Sequence, residues 1–135
     1  MPSHPLISKP KIGFIYPAIL DKHNVPNPIL NIYAVRKDLS LVMCAAFIGL
    51  DPTGSYMILM SLKSPSGVEM VSHNSKSLIP NDQIHPELRT TFLSAKMEFT
   101  VEESGEYTFH CELVSSPSDV IDSKSISFNI ICRDE

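Results

Sequence analysis

Apolar and polar residues alternate strictly along three stretches of this chain. From Gly105 to Leu113, Tyr107, Phe109, Cys111 and Leu113 fall on one side, with Glu106, Thr108, His110 and Glu112 on the other. From Thr91 to Val101, Leu93, Ala95, Met97, Phe99 and Val101 oppose Ser94, Lys96, Glu98 and Thr100. From Ser125 to Cys132, Ile126, Phe128, Ile130 and Cys132 share a side. Alternation with this period marks half-buried strands of antiparallel sheets. Pro17, Pro26 and Pro28 divide the N-terminal quarter into an edge-type strand near Ile12–Leu20 and a short one near Leu30–Val35. Polar turns fall at Arg36-Lys37-Asp38, Asp51-Pro52-Thr53-Gly54, Ser64-Pro65-Ser66-Gly67 and Ser115–Asp119, and Val68–Val71 starts a further short strand. Ser72–Arg89 is polar, holds Pro80 and Pro86, and has room for one helical turn around Asp82–Ile84. The rhythm predicts an all-β chain, an antiparallel β-sandwich of about seven to nine strands.

The run from Leu39 to Leu50 breaks the alternation. Val42, Cys44, Ala46 and Ile48 lie on one face and Leu41, Met43, Ala45 and Phe47 on the other. Ser55–Lys63, expected to return beside it as a hairpin, is also apolar on both faces, with Met57 and Leu59 opposite Tyr56, Ile58, Met60 and Leu62. A sandwich strand needs one apolar face, so the second calls for a cover. Leu41, Met43, Phe47, Met57 and Leu59 are therefore the candidate interface, buried against a protein partner or in a twofold homodimer. The Ser72–Arg89 segment or the N-terminal arm could cover the same surface.

Composition narrows the classes. The chain has 135 residues, 43% hydrophobic and 19% charged; it fits one domain over residues 1–135, with 1–10 as a flexible arm. The net charge is -4 and no basic cluster exceeds Arg36-Lys37, which excludes a nucleic-acid footprint. No apolar run reaches the roughly 18 residues of a membrane span, and the proline-rich N-terminus is not a secretory signal, so a cytoplasmic location is expected.

Three cysteines, Cys44, Cys111 and Cys132, are an odd number without metal spacing; free thiols in a reducing compartment are expected, with a Cys44–Cys111 bridge as the alternative. His4, His23, His73, His85 and His110 show no ligand spacing. His110 neighbours Cys111 in a strand, so the two point to opposite faces and form no nucleophile–base pair. Glu102, Glu103 and Glu106 offer at most a calcium loop, and read more simply as a solvated turn. The residues thus name no catalytic group, cofactor or metal.

The Gly-x-Tyr start of the Gly105–Leu113 strand resembles the tyrosine corner of immunoglobulin-like sandwiches, which would bury Tyr107 with its hydroxyl on nearby backbone. Together, Leu30-Asn31-Ile32-Tyr33-Ala34-Val35, Ser64-Pro65-Ser66-Gly67 and Gly105-Glu106-Tyr107-Thr108-Phe109 resemble an uncharacterised family of small bacterial single-domain β-sandwich proteins. That resemblance implies the fold and a bacterial source, and no activity. The expected function is a non-enzymatic interaction or self-assembly module. A carbohydrate-binding sandwich is the alternative, though the chain has no tryptophan. A Cys/His hydrolase is a further one; it would need a convergent polar cluster in a pocket, with His110 or His85 within reach of a carboxylate.

Overall fold

The computed structural model describes residues 9–34, 38–71, 76–115 and 119–133. Nine strands follow in order: β1 Lys11–Leu20, β2 Pro26–Pro28, β3 Asn31–Ala34, β4 Asp38–Ile48, β5 Tyr56–Lys63, β6 Lys76–Leu78, β7 Thr91–Thr100, β8 Gly105–Ser115 and β9 Asp119–Cys132. The first sheet has the order β2-β1-β4-β7 and the second β3-β9-β8-β5-β6. Every pairing is antiparallel except β3 with β9, which is parallel. The chain is the all-β sandwich its alternation predicts. The expected arm falls largely on residues 1–8, which lie outside the described residues, as do most of the turns at Arg36-Lys37-Asp38 and Ser115–Asp119.

The core lies between the sheets. Tyr107, Phe109, Cys111 and Leu113 of β8 face Leu41, Met43, Ala45 and Phe47 of β4, all buried in one cluster. Tyr107 packs between Phe99 and Phe128, each ring centre 6.3 Å from its own. Such rings at offset angles fill a sandwich interior in the arrangement their quadrupoles favour.

Strands β4 and β5 are not a hairpin. The Gly49–Ser55 connection carries the chain from the first sheet to the second. Gly49 has φ of 75°, a left-handed conformation that a Cβ would strain. Beyond it, Asp51 closes a tight turn: its carbonyl accepts from Gly54 N–H at 2.8 Å and its carboxylate accepts from Thr53 N–H at 2.9 Å. Asn81 then ties the turn down, its side-chain amide donating to the Pro52 and Gly54 carbonyls at 2.7 and 2.6 Å. A Pro-x-Gly turn between two apolar strands reads as a hairpin in sequence, yet here it serves as an inter-sheet corner.

The described part of the Ser72–Arg89 segment closes one end of the sandwich and does not roof β4. β6 extends the second sheet beside β5, and Ile79 and Ile84 insert into the core around a 3-10 turn at Asn81–Gln83. Val68–Val71 forms no strand; a single bridge joins Lys63 to Glu69. Glu69 instead accepts the Leu62 N–H through its carboxylate at 3.0 Å.

Candidate functional site

The five interface candidates do not share a face. Leu41, Met43 and Phe47 are 1%, 0% and 0% exposed and form the inner wall of β4. Met57 and Leu59 lie half-buried in the other sheet, opposite Val114 and Glu112 of β8. Alternation divides a two-sided strand into faces without saying which is inside, and the expected hairpin joined strands that the fold separates.

The outer wall of the first sheet is built from the other parity. Across β1, β4 and β7, Tyr16 pairs with Cys44 and Cys44 with Ser94; Phe14 pairs with Ala46 and Ala46 with Phe92; Ala18 pairs with Val42 and Val42 with Lys96. Phe14, Tyr16 and Phe92 thus stand around a floor of smaller side chains. Their ring centres are 6.1 Å apart for Phe14–Tyr16, 6.5 Å for Phe14–Phe92 and 6.3 Å for Tyr16–Phe92. Phe14 is 53% and Phe92 48% exposed, while Ala18 and Cys44 beneath are fully buried. Ala18, Val42 and Cys44 form a second apolar cluster with Tyr16 packed on it, separate from the main core. The three rings on β1 and β7 shield the small residues of β4, which explains how a strand with two apolar faces is accommodated.

Tyr16 also packs on the cluster that holds the Cys44 thiol. Burial raises the Cys44 pKa despite the opposing hydrogen bond from Tyr16. The Tyr16 hydroxyl is raised as well, first by burial and then by Cys44. Both groups stay protonated at neutral pH and act as packing surface.

Sequence reasoning missed the β1 half of this cluster because of one residue. The β1–β4 register shifts between Ile12 and Phe14. Ile12 points into the core and Phe14 out of it, although they are separated by a single residue. A bulge inverts the alternation beyond it, and Gly13 is the signal that marked its position.

The outer wall of the second sheet is polar along β8 and β9 and apolar at β5 and β6, where Met57, Leu59 and Leu78 lie. On β8 and β9, Thr108 faces Ser127, His110 faces Ser125 and Glu112 faces Ser123. His110 Nδ1 lies 2.6 Å from Ser125 Oγ, and its Nε2 lies 3.3 Å from Glu112 Oε2. This meets the requirement that His110 reach a carboxylate. The setting differs from that of a hydrolase relay. β8 pairs with strands on both sides, so its backbone N–H groups are committed to ladders and leave no oxyanion site among them. The network lies on a sheet face, whereas a cleft of about 440 Å³ lies at the paired ends of β4 and β7, lined by Asp38, Leu39, Ser40, Glu98, Phe99 and Thr100. There Thr100 Oγ1 donates to Asp38 at 3.2 Å. His85 instead accepts from the Glu87 and Leu88 N–H groups at 3.2 and 3.0 Å, holding a turn.

The remaining candidates have structural partners. Glu103 Oε2 accepts from Ser66 Oγ at 2.5 Å, joining two loops. Tyr107 is fully buried and its hydroxyl donates to the Glu103 carbonyl at 2.8 Å. The three cysteines are free. Cys44 faces outward from the first sheet and Cys111 inward from the second, in separate clusters, which rules out a bridge between them. No helix among the described residues is long and apolar enough to cross a membrane.

Solved structures share the fold. A glycosyl hydrolase family 2 member from Bacteroides cellulosilyticus superposes with a TM-score of 0.65 at 11% identity, covering 91% of this chain and 16% of that one. The β-glucuronidase of Bacteroides uniformis superposes at 0.62 and 7% identity, over 90% of this chain and 14% of its own. A Mobiluncus mulieris adhesin containing intramolecular disulfide, isopeptide and ester bond cross-links superposes at 0.56 and 10% identity, over 91% and 58%. The chain therefore spans less than a fifth of the length of either hydrolase. No family model and no curated protein matches the sequence, so the family its three motifs resemble has no counterpart at that level. What these comparisons establish is a β-sandwich similar to bacterial ones.

Proposed function

We propose that the chain is a non-enzymatic interaction module that docks a protein partner on the outer wall of its first sheet, around Phe14, Tyr16 and Phe92. The observation that carries this reading is the group of three mutually supported aromatic rings, two of them half exposed, over a largely buried floor of small side chains. Aromatic side chains are enriched in interface cores, and rings that brace one another lose little rotamer freedom on binding. The three free thiols support a reducing, cytoplasmic setting.

Two specific observations favour other readings. Exposed rings are also stacking surfaces for sugars, and the fold is similar to proteins named as a glycosyl hydrolase and a β-glucuronidase. The Ser125–His110–Glu112 contacts set a histidine beside a carboxylate, and a serine-reactive fluorophosphonate that labels Ser125 would support a hydrolase in spite of the flat setting. For the leading reading, a photo-crosslinking side chain is placed at Phe92, and separately at Ser127 on the polar wall, in cells of the source organism. The account predicts one dominant protein adduct from position 92 and none from 127. Equal adducts at both positions, or none at 92, would reject it. Protection of Tyr16 fluorescence by a glycan, with no protein adduct, would move the assignment to carbohydrate.

A further inference from the structure

Edges of β-sheets are open pairing sites unless they are short, bent or blocked. The two described sheets end in four strands. β2 spans three residues and carries Pro26 and Pro28, β3 spans four residues, and β6 three. β7 is different. It runs for ten residues without proline, and its register with β4 shows no bulge from Asp38–Thr100 to Phe47–Thr91. Its other side has no strand among the described residues.

The middle of this edge is self-complementary. Lys96 and Glu98 lie on the outer wall with their charged groups 3.3 Å apart, both largely exposed, and Met97 lies between them in sequence. We propose that a second copy of this chain pairs antiparallel with β7 about a twofold axis through Met97. In that register Lys96 of each copy faces Glu98 of the other, twice over. Ala95 faces Phe99 inside, and Ser94 faces Thr100 outside. An axis at Lys96 or at Glu98 would set like charges opposite each other, which is destabilising. The two four-stranded sheets would then run on as a single sheet. A twofold axis normal to that sheet places both aromatic walls on the same side, so the dimer would present the docking surface twice and gain avidity for a repeated or dimeric partner.

The test is the molar mass of the full chain by sedimentation across a dilution series. Wild type is expected to dimerise. Lys96→Glu and Glu98→Lys, each of which places like charges across the axis, are expected to weaken association by about tenfold or more. The double swap Lys96→Glu/Glu98→Lys restores the opposite pairs and is expected to restore the dimer. Phe14→Ser, on β1, should leave it intact, which separates this surface from the aromatic wall. A monomeric wild type overturns the proposal. So does a dimer indifferent to either single swap, or a double swap that stays dissociated while its circular dichroism matches wild type.

Discussion

Tyr107 shows how a single side chain ties a strand to the turn before it. Its ring is buried between Phe99 and Phe128 and its hydroxyl donates to Glu103. Tyr107→Phe should keep the fold and lose about 0.5–1.5 kcal/mol in a denaturant titration, the net value of one such hydrogen bond. Two ionisable groups contribute at opposite ends of the pH range. Hydrogen bonds, first from the Ser66 hydroxyl and then from Ser64, hold the Glu103 carboxyl below the usual carboxylate range. A depressed acid contributes stability above its unfolded pKa and loses it as pH falls through the folded one, so Glu103→Gln should flatten the acid limb of the unfolding curve. Cys111 acts in the other direction: burial, then the Glu112 and Asp122 charges, push its thiol from 9.0 up to about 12. Its contribution is complete below 9.0 and is lost as pH rises through about 12. All three thiols should label after denaturation without reductant, and Cys44 and Cys111 should resist labelling in the native state. Tyr107 was legible in sequence, because a Gly-x-Tyr strand start matches the tyrosine corner that recurs in many sandwiches. Phe14 was not, because its outward position depends on the bulge at Gly13.

At the scale of elements, alternation located β7, β8 and the Ser125–Cys132 half of β9, where one side turns to the core; the Asp119–Lys124 half buries neither face and was not located. β4 and β5 were located too, but their partners were not. A short turn between apolar strands fits a hairpin and an inter-sheet corner equally well, and the choice depends on contacts made far away in the chain. Here Gly49 and the Asn81 clamp decide it. Gly49→Ala should therefore cost about 1–2 kcal/mol of unfolding free energy, the strain of a Cβ in the left-handed region. A cost near zero would mean that the corner can turn another way. The parallel β3–β9 pair was also out of reach, since β3 is four residues long and its partner lies near the other end of the chain.

On the scale of the whole molecule, the sandwich has unlike outer walls: aromatic on the first sheet, hydroxyl-rich along β8 and β9 of the second. Its far-UV circular dichroism should be strand-dominated, with helix limited to about one turn, well below the roughly 30% of an average domain. The central claim is that the half-exposed rings of Phe14 and Phe92, braced by Tyr16, form a surface for binding and are not part of the folding core. Unfolding free energies of Phe14→Ser/Phe92→Ser and of Phe47→Ser test it most directly. The account predicts that the double variant stays within about 1 kcal/mol of wild type, as surface substitutions do, while Phe47→Ser loses at least the roughly 3–5 kcal/mol of a large-to-small core change. A double variant that loses as much as Phe47→Ser would make the outer wall part of the core and contradict the account.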